Sequence, residues 1–436
     1  MERKVILICI DGLAAYYLDD PRCKMPNVRG LINQGTKAEK MKVAYPSSTW
    51  PMNTSIVTGV YPKKHGVLGN WVVERETRQV KEHFGDRSWD KEDVVQVPTL
   101  YDLAHQKGVK TAAVCWPVTR GAKHIDFNIP EFYEQELFEK HCTPTFWNEL
   151  KEHGLPVDHY GEWSKDHARG KMQDWLTAEV AKHLIRNHKP GLMMLHFLVA
   201  DSFQHDYGTR APEVFWALDY IDERIGQIIG ALKEEGVYEN TDLFIVSDHG
   251  FMDAHSVICP NVLFKQKGWY DEENPTNSKV VAVSNGGVGY VYILDEEYPD
   301  ELASLVKEEL QQTEGVECVF ENEHFSELGF PRIEEHSHQP DFIFEAETGY
   351  FVYFGAEGDK VIDKNKYTAM HGYLPEKEEL KAVFIAHGPS IRSGLSLPEI
   401  NIVDIAPTVA KIIGLELEDA DGKVLEAMIN VREVKV

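Results

Sequence analysis

The sequence predicts an α/β protein with a mostly parallel central sheet, helices on both faces, and a smaller inserted β-containing subdomain. Three observations lead there. Short, fully apolar runs alternate with longer amphipathic stretches, which marks buried parallel strands joined by crossover helices. Three of those runs stop at an aspartate: Asp11, Asp201 and Asp248. Between about residues 262 and 365 the character changes to β-branched and aromatic residues with many turn signals, as in KVVAVSNGGVGYVYIL.

The strand candidates, in order, are VILICI (5–10), KTAAVCW (110–116), LMMLHFLVA (192–200), DLFIVS (242–247) and the late AVFIAH (382–387). A strand covered on both faces needs apolar side chains throughout rather than at alternate positions, and these runs have them. Helical spacing is clear in MQDWLTAEVAKHLI (172–185) and in VFWALDYIDERIGQIIGALKEEG (214–236). Near the C-terminus Asp404 is placed to cap IAPTVAKIIG, with Pro407 tolerated in the first turn. The core therefore spans residues 1–261 and 366–436, and the inserted subdomain 262–365.

At 436 residues and 43% hydrophobic, the chain can bury a large core as one α/β body with insertions. It carries 45 Lys and Arg against 71 Asp and Glu, a formal charge of -26. Such a surface repels polyanions, which argues against binding nucleic-acid polymers and against docking on anionic lipid. A phosphate-bearing substrate needs local positive charge, which metal ions can supply. The six cysteines, Cys9, Cys23, Cys115, Cys142, Cys259 and Cys318, form no CxxC pair, and several sit in apolar runs as small core residues. The opening MERKVILICIDG is too short in its apolar part for a signal peptide, and no segment approaches about 18 apolar residues. The expectation is a cytoplasmic protein with no membrane span.

In open α/β sheets ligands bind beyond the carboxyl ends of the strands, where Asp11, Asp201 and Asp248 can converge. A lone aspartate after a strand is usually a turn or capping residue, but two of these have a histidine nearby. In Asp201-Ser202-Phe203-Gln204-His205 the i, i+4 spacing puts carboxylate and imidazole on one face of a helical turn. In Asp248-His249-Gly250 the pair leaves a strand end, and Gly250 permits a sharp turn. With Asp11 these make five O and N ligands suited to zinc or manganese, short of two filled sites. Another histidine and an oxygen nucleophile are therefore expected. The segment AYPSSTWPMNTSIVTGVYPKKHGVLGN (44–70) places hydroxyls at a helix start, whose unpaired N–H groups favour an anion. On the residues alone Ser47, Ser48, Thr49, Thr54 and Ser55 all compete for that role, and His336, His338 and His387 rival His371 as the last ligand.

Six motifs follow one another along the chain: IDG (10–12), PSSTWP (46–51), TGVYPKKHG (58–66), DSFQH (201–205), DHG (248–250) and HGY (371–373). The tail adds FIAHGPSIRSG (384–394) and IVDIAPTVAKIIG (402–414). In this set the chain resembles the alkaline phosphatase superfamily, and within it the nucleotide pyrophosphatase/phosphodiesterase branch, from residue 5 to about 425. The resemblance implies an alkaline phosphatase-like fold and cleavage of phosphate esters through a phosphothreonine. It makes Thr49 the nucleophile. Asp11, Thr49, Asp248 and His249 would hold one divalent ion, and Asp201, His205 and His371 a second, zinc in the first place and manganese as the alternative. Asn70 matches an asparagine that donates to a phosphate oxygen, and Trp50 an aromatic beside the leaving group. His65 looks structural, and His336 and His338 in EEHSHQ read as solvated loop residues. The implied substrate is a small-molecule phosphate ester or nucleotide. Met52-Asn53 stand where many relatives carry Asn-His or Asn-Asn. PSSTWP lacks the C-x-P-x-R segment of sulfatases and the serine nucleophile of cofactor-independent phosphoglycerate mutases. A phosphonoacetate hydrolase or phosphomonoesterase of the same superfamily is the alternative.

With Thr49 as nucleophile, Thr49→Ala loses activity towards a chromogenic diester by about three orders of magnitude or more, roughly 4 kcal/mol of barrier. Thr49→Ser keeps part of it because the hydroxyl survives. A dead Ser47→Ala or Ser48→Ala beside an active Thr49→Ala moves the nucleophile elsewhere.

Overall fold

The computed structural model describes residues 3–297, 299–364 and 367–430. In chain order, β1 (Lys4–Ile10), β2 (Thr36–Ala38), β3 (Thr111–Trp116), β4 (Phe127–Pro130), β5 (Leu192–Phe197) and β6 (Thr241–Val246) belong to a large sheet. A separate four-stranded sheet follows: β7 (Val280–Ser284), β8 (Val288–Ile293), β9 (Val316–Phe320) and β10 (Phe342–Ala346). Then β11 (Phe384–His387) and β12 (Leu395–Leu397) complete the first sheet at eight strands, in the order β12-β2-β11-β6-β1-β5-β3-β4. Its pairings are parallel except for the two made by β11.

The apolar runs are explained by the two cores this sheet divides. Val5, Leu7 and Cys9 of β1 face one core, and Ile6, Ile8 and Ile10 the other. Helices α1 (Thr49–Thr58) and α5 (Ile405–Ile413) pack Met52, Ile56, Val57, Val409 and Ile412 into the first core. Helices α2 (Gly170–Asn187), α3 (Val199–Tyr207) and α4 (Pro212–Glu234) pack Leu176, Val180, Phe203, Ile221 and Ile225 into the second. Burying each such side chain is worth roughly 1.5–3 kcal/mol, so a strand polar on either face would not hold this place. This is the mostly parallel sheet with helices on both faces that the sequence predicts.

Three local expectations are corrected. The run LMMLHFLVA is not one strand: β5 ends at Phe197, and α3 begins at Val199. Asp174 of α2 is the cause, since its carboxylate accepts from the N–H groups of Leu198 and Val199 at 2.8 and 3.1 Å and so caps α3 from outside the run. Asp201 therefore lies in the first turn of a helix rather than at a strand end. Strand β11 starts at Phe384 and runs antiparallel, which an apolar run cannot reveal. Asp404 does not cap α5 with its side chain; its carboxylate accepts from the N–H groups of Asn401 and Lys423, both at 2.9 Å.

The second sheet, ordered β7-β8-β10-β9, is antiparallel throughout, and the helix Pro299–Gln312 packs Leu302, Val306 and Leu310 with it. Its other side covers Tyr45, Leu68, Val72 and Val73 of the main body. A short antiparallel pair, Met252–Asp253 with Ala369–Met370, joins the outgoing and returning chain. The expected boundary between residues 365 and 366, and residues 431–436, lie outside the described residues. Next to the return, Gly372 has φ +94°, and a Cβ there would lie 1.9 Å from the Asn285 carbonyl oxygen. The close approach lets Gly287 N–H bond to the His371 carbonyl at 2.7 Å, which ties the second sheet to a candidate ligand loop. All six cysteines are unpaired. Among the described residues, no helix is long and apolar enough to cross a membrane.

Candidate metal centre

Sheet register sets the frame. Cys9 pairs with His196 on one side and Val246 on the other, so the strand ends are level and Asp11 and Asp248 emerge side by side. Asp201 and His205 come from successive turns of α3. Thr49 is the first residue of α1, after an extended Ser48, and is 5% exposed. His371 arrives from the chain returning from the second sheet.

These residues close on two points. His249 Nε2 lies 3.3 Å from Asp11 Oδ1, 3.4 Å from Asp248 Oδ2 and 3.4 Å from Thr49 Oγ1. His205 Nε2 lies 3.5 Å from Asp201 Oδ2, and His371 Nε2 lies 3.8 Å from Asp201 Oδ1. Both groups, Asp11/Asp248/His249 and Asp201/His205/His371, keep their ligand atoms within 4.8 Å of one another. Bonds of about 2.0–2.2 Å to a shared tetrahedral ion place neighbouring ligand atoms about 3.3–3.6 Å apart, which these spacings approach. Glu149, His183 and His188 form another His/Glu group, but they close to 2.6 and 2.7 Å, ordinary hydrogen-bond lengths that need no ion.

Each of the three site histidines is held in the same way. Nδ1 of His249 faces the Gly250 carbonyl at 3.2 Å, Nδ1 of His205 the Ala369 carbonyl at 3.0 Å, and Nδ1 of His371 the Ser47 carbonyl at 3.0 Å. A carbonyl only accepts, so Nδ1 carries the proton and Nε2 keeps its lone pair for the site. The Asp248 carboxylate is steered likewise: Oδ1 accepts from the N–H groups of Gly12 and His249 at 3.2 and 3.0 Å, and Oδ2 faces the centre beside the Asn53 amide.

Electrostatics point the same way. Burial, then Asp248, pushes the Asp11 carboxyl well above the usual carboxylate range; burial, then Asp11, does the same to Asp201. Burial also raises Asp248. Burial lowers His249 to about 3 and holds His205 and His371 well below the usual imidazole value. Acids that resist ionising and imidazoles that resist protonation, aimed at common points, fit divalent cations.

A cavity of about 330 Å³ opens over the centre. Asn70 lines it, and its Oδ1 accepts the Trp50 backbone N–H at 3.1 Å, which leaves the amide NH2 as the end offered to a ligand. Trp50 contributes less than expected: it is 1% exposed, packs with Val67, Val94 and Val118, and its indole N–H donates to buried Asp86 at 2.8 Å. Asp86 also accepts from the N–H groups of Val118, Thr119 and Arg120, so it locks the turn that carries Phe84. Phe84 is the half-buried ring, 5.0 Å from Trp50 and stacked at 4.5 Å on Tyr133; Trp71 and Phe354 extend the wall. No local pattern assigns a role to Asn53, Phe84 or Tyr133; only the fold brings them to the site.

The sequence model of the type I phosphodiesterase/nucleotide pyrophosphatase family matches residues 5–374. The chain belongs to this family. It is accordingly a hydrolase of phosphoric esters. Bovine bis(5'-adenosyl)-triphosphatase ENPP4 is 24% identical over 428 residues, covering 96% of this chain and 80% of the relative. Bovine ectonucleotide pyrophosphatase/phosphodiesterase family member 3 is 21% identical over 429 residues, covering 96% of this chain and 43% of the relative. Murine ectonucleotide pyrophosphatase/phosphodiesterase 5 superposes with a TM-score of 0.73 at 17% identity, covering 98% of this chain and 100% of that one. A second structure of that protein holds an inactive threonine-to-alanine variant in complex with AMP.

The rival histidines lie elsewhere. His65 is fully buried, with Nε2 on Ser55 Oγ at 3.0 Å and Nδ1 on the Val67 N–H, which suits a structural role. His336 and His338 are half-buried rather than solvated, with the His338 ring 5.0 Å from Trp89. His387 ends an antiparallel strand opposite Leu243, near the start of β6, at the sheet edge away from Asp248. For this family member we expect elemental analysis of the loaded protein to find about two zinc or manganese ions per chain. Chelation is expected to lower its melting temperature and abolish activity; full activity in exhaustively chelated protein contradicts the metal centre.

Proposed function

We propose that the chain is a two-metal phosphodiesterase that cleaves a small-molecule phosphodiester or a nucleotide through a covalent phosphothreonine at Thr49. One observation carries this reading: three histidines, each fixed through Nδ1 by a backbone carbonyl, present Nε2 to two buried carboxylates and the half-buried Asp201 beside a helix-terminal hydroxyl. Two divalent ions, zinc or manganese, held by Asp11, Thr49, Asp248 and His249 and by Asp201, His205 and His371, would lower the pKa of the hydroxyl and neutralise charge on the leaving oxygen.

The chain's own residues do the rest. Thr49 Oγ attacks phosphorus, the Oγ–P bond forms, and the bond to the leaving alkoxide breaks on the opposite side. Water then cleaves the phosphothreonine and restores the hydroxyl. Asn70 donates its NH2 to a non-bridging phosphate oxygen. The α1 terminus adds little beyond Thr49's own N–H. Trp50 N–H is held by Asn70, Pro51 has none, and Met52 N–H bonds the Ser48 carbonyl at 3.1 Å. A side chain at Thr49 thus sits where a backbone donor, an amide and two ligand sets converge.

The cavity favours a diester. Its lining includes Phe84, Trp71, Tyr133 and Phe354, together with Asp11, Asp201, Glu131 and Asp166, but no Lys or Arg among the described residues. A monoester dianion lacks a fixed cation there, whereas a diester carries one charge and an organic group that these rings can hold. The AMP bound by the murine relative and the substrate in the bovine relative's name support a nucleotide as that organic part.

We expect a higher kcat/KM for bis(4-nitrophenyl) phosphate or a nucleotide 4-nitrophenyl ester than for 4-nitrophenyl phosphate. Phe84→Ala narrows the gap, by about 3- to 10-fold in the diester's kcat/KM, the worth of one aromatic contact. A better monoester, or phosphonoacetate turned over faster than both, overturns the substrate assignment while leaving the metal centre standing.

A further inference from the structure

Asp11 is held from two directions. Its Oδ1 lies 3.3 Å from His249 Nε2, and its Oδ2 lies 3.4 Å from His196 Nε2. His196 is fully buried on β5, beside Cys9 of β1, in a strand otherwise composed of Leu, Met and Phe. A buried imidazole there costs free energy unless it is partnered. Its partner is Glu131, 1% exposed and directly after β4, whose Oε2 lies 2.8 Å from His196 Nδ1. The other oxygen of Glu131 accepts from the Tyr133 hydroxyl at 3.3 Å. A connected line of polar groups, Tyr133–Glu131–His196–Asp11, therefore runs from the aromatic wall of the cavity to the carboxylate next to the nucleophile. No local motif contains it, because its members come from β1, β5 and the chain just beyond β4.

Packing alone does not explain the pair. A leucine or phenylalanine would fill the space at 196 without burying an acid at 131. Nor does Asp11 need the pair for hydrogen bonding to the backbone, since its own N–H bonds the Phe197 carbonyl at 2.9 Å whatever its side chain does. What the side chain lacks is a fixed orientation: Oδ1 has no hydrogen-bond partner, nor has His196 Nε2, so the 3.4 Å approach to Oδ2 is an ion-pair contact rather than a hydrogen bond. A carboxylate with one free torsion can present either oxygen, or both, to an ion.

We propose that Glu131 and His196 are a positioning pair for the first metal site. Glu131 sets the His196 ring, whose two nitrogens both face carboxylates and so both carry protons; Nε2–H points at Asp11 Oδ2, and Asp11 Oδ1 is thereby left for the ion shared with Thr49, Asp248 and His249. This rests on the metal reading above. Outer groups that orient a metal ligand typically account for 10–100-fold in metal affinity or activity. Among the described residues no ion pair joins the second site, built from Asp201, His205 and His371, to the pair, which reaches it only through longer-range charge at Asp201, so the loss should fall mainly on the first site.

The test titrates zinc into metal-free protein against a chromophoric chelator, in a His205→Ala background that leaves only the first site. There, adding His196→Ala or Glu131→Ala weakens zinc binding by about 10–100-fold. Glu131→Gln, whose amide oxygen still accepts from Nδ1, stays within about threefold of the background. In otherwise intact enzyme the alanine variants lower kcat and leave KM for a diester nearly unchanged. If His196→Ala proves unfolded by circular dichroism, His196→Gln, which fills the space and reaches one partner only, is read in its place. Folded variants that bind zinc as tightly as the background overturn the proposal, as does a Glu131→Gln that loses as much as Glu131→Ala. A His205→Ala background that binds no zinc overturns the metal reading instead.

Discussion

Like charges confined at short range impose the strongest demand on this fold. Asp11, Asp201 and Asp248 meet at one edge of the sheet with little exposure, and two unit charges about 4 Å apart interact by roughly 4 kcal/mol at an effective dielectric of 20. Burial pushes all three pKa values up, and neighbouring carboxylates add to it at Asp11 and Asp201, so the chain alone leaves them poorly satisfied. A pair of cations removes that conflict. The three neutral histidines make sense on the same terms: each is fixed through Nδ1, so its lone pair is available where the carboxylates meet.

The scaffold is arranged so that this convergence is rigid. Level parallel strands deliver Asp11 and Asp248, and α2 starts α3 through Asp174, which sets the turn carrying Asp201. The second sheet does not supply a ligand of its own, yet it fixes one. Its Asn285 loop receives the Ser48 hydroxyl at 3.0 Å and abuts Gly372, so nucleophile segment and His371 loop are referenced to the same backbone. Ser47 completes the junction, with its carbonyl on His371 Nδ1 and its hydroxyl on the Tyr373 carbonyl. The Ser47 and Ser48 hydroxyls, which rival Thr49 by type, are thus engaged in holding the loops around it.

Much of this was legible in the residues. Uniformly apolar runs gave the parallel strands because burial on both faces leaves no polar alternation. The ordered IDG, PSSTWP, DSFQH, DHG and HGY motifs brought together residues that the structure places around two points. What escaped has physical causes. An apolar run does not record direction or the place where a strand gives way to a helix; those follow from β11 pairing and from Asp174, which is distant in sequence. Trp50 stands next to the nucleophile in the chain, but its indole turns into the core to meet Asp86, and Phe84 takes the cavity face instead. Glu131 and His196 had no signature, since each is a single polar residue in an apolar stretch and only the fold makes them neighbours.

The central claim is that the carboxyl end of this sheet holds two ions in two defined ligand sets. Anomalous diffraction from a zinc-loaded crystal tests it most directly. The account predicts two strong peaks, one bounded by Asp11, Thr49, Asp248 and His249 and the other by Asp201, His205 and His371, and none at Glu149, His183 and His188. A single peak, or a peak at the Glu149 group with the Asp201 set empty, contradicts it.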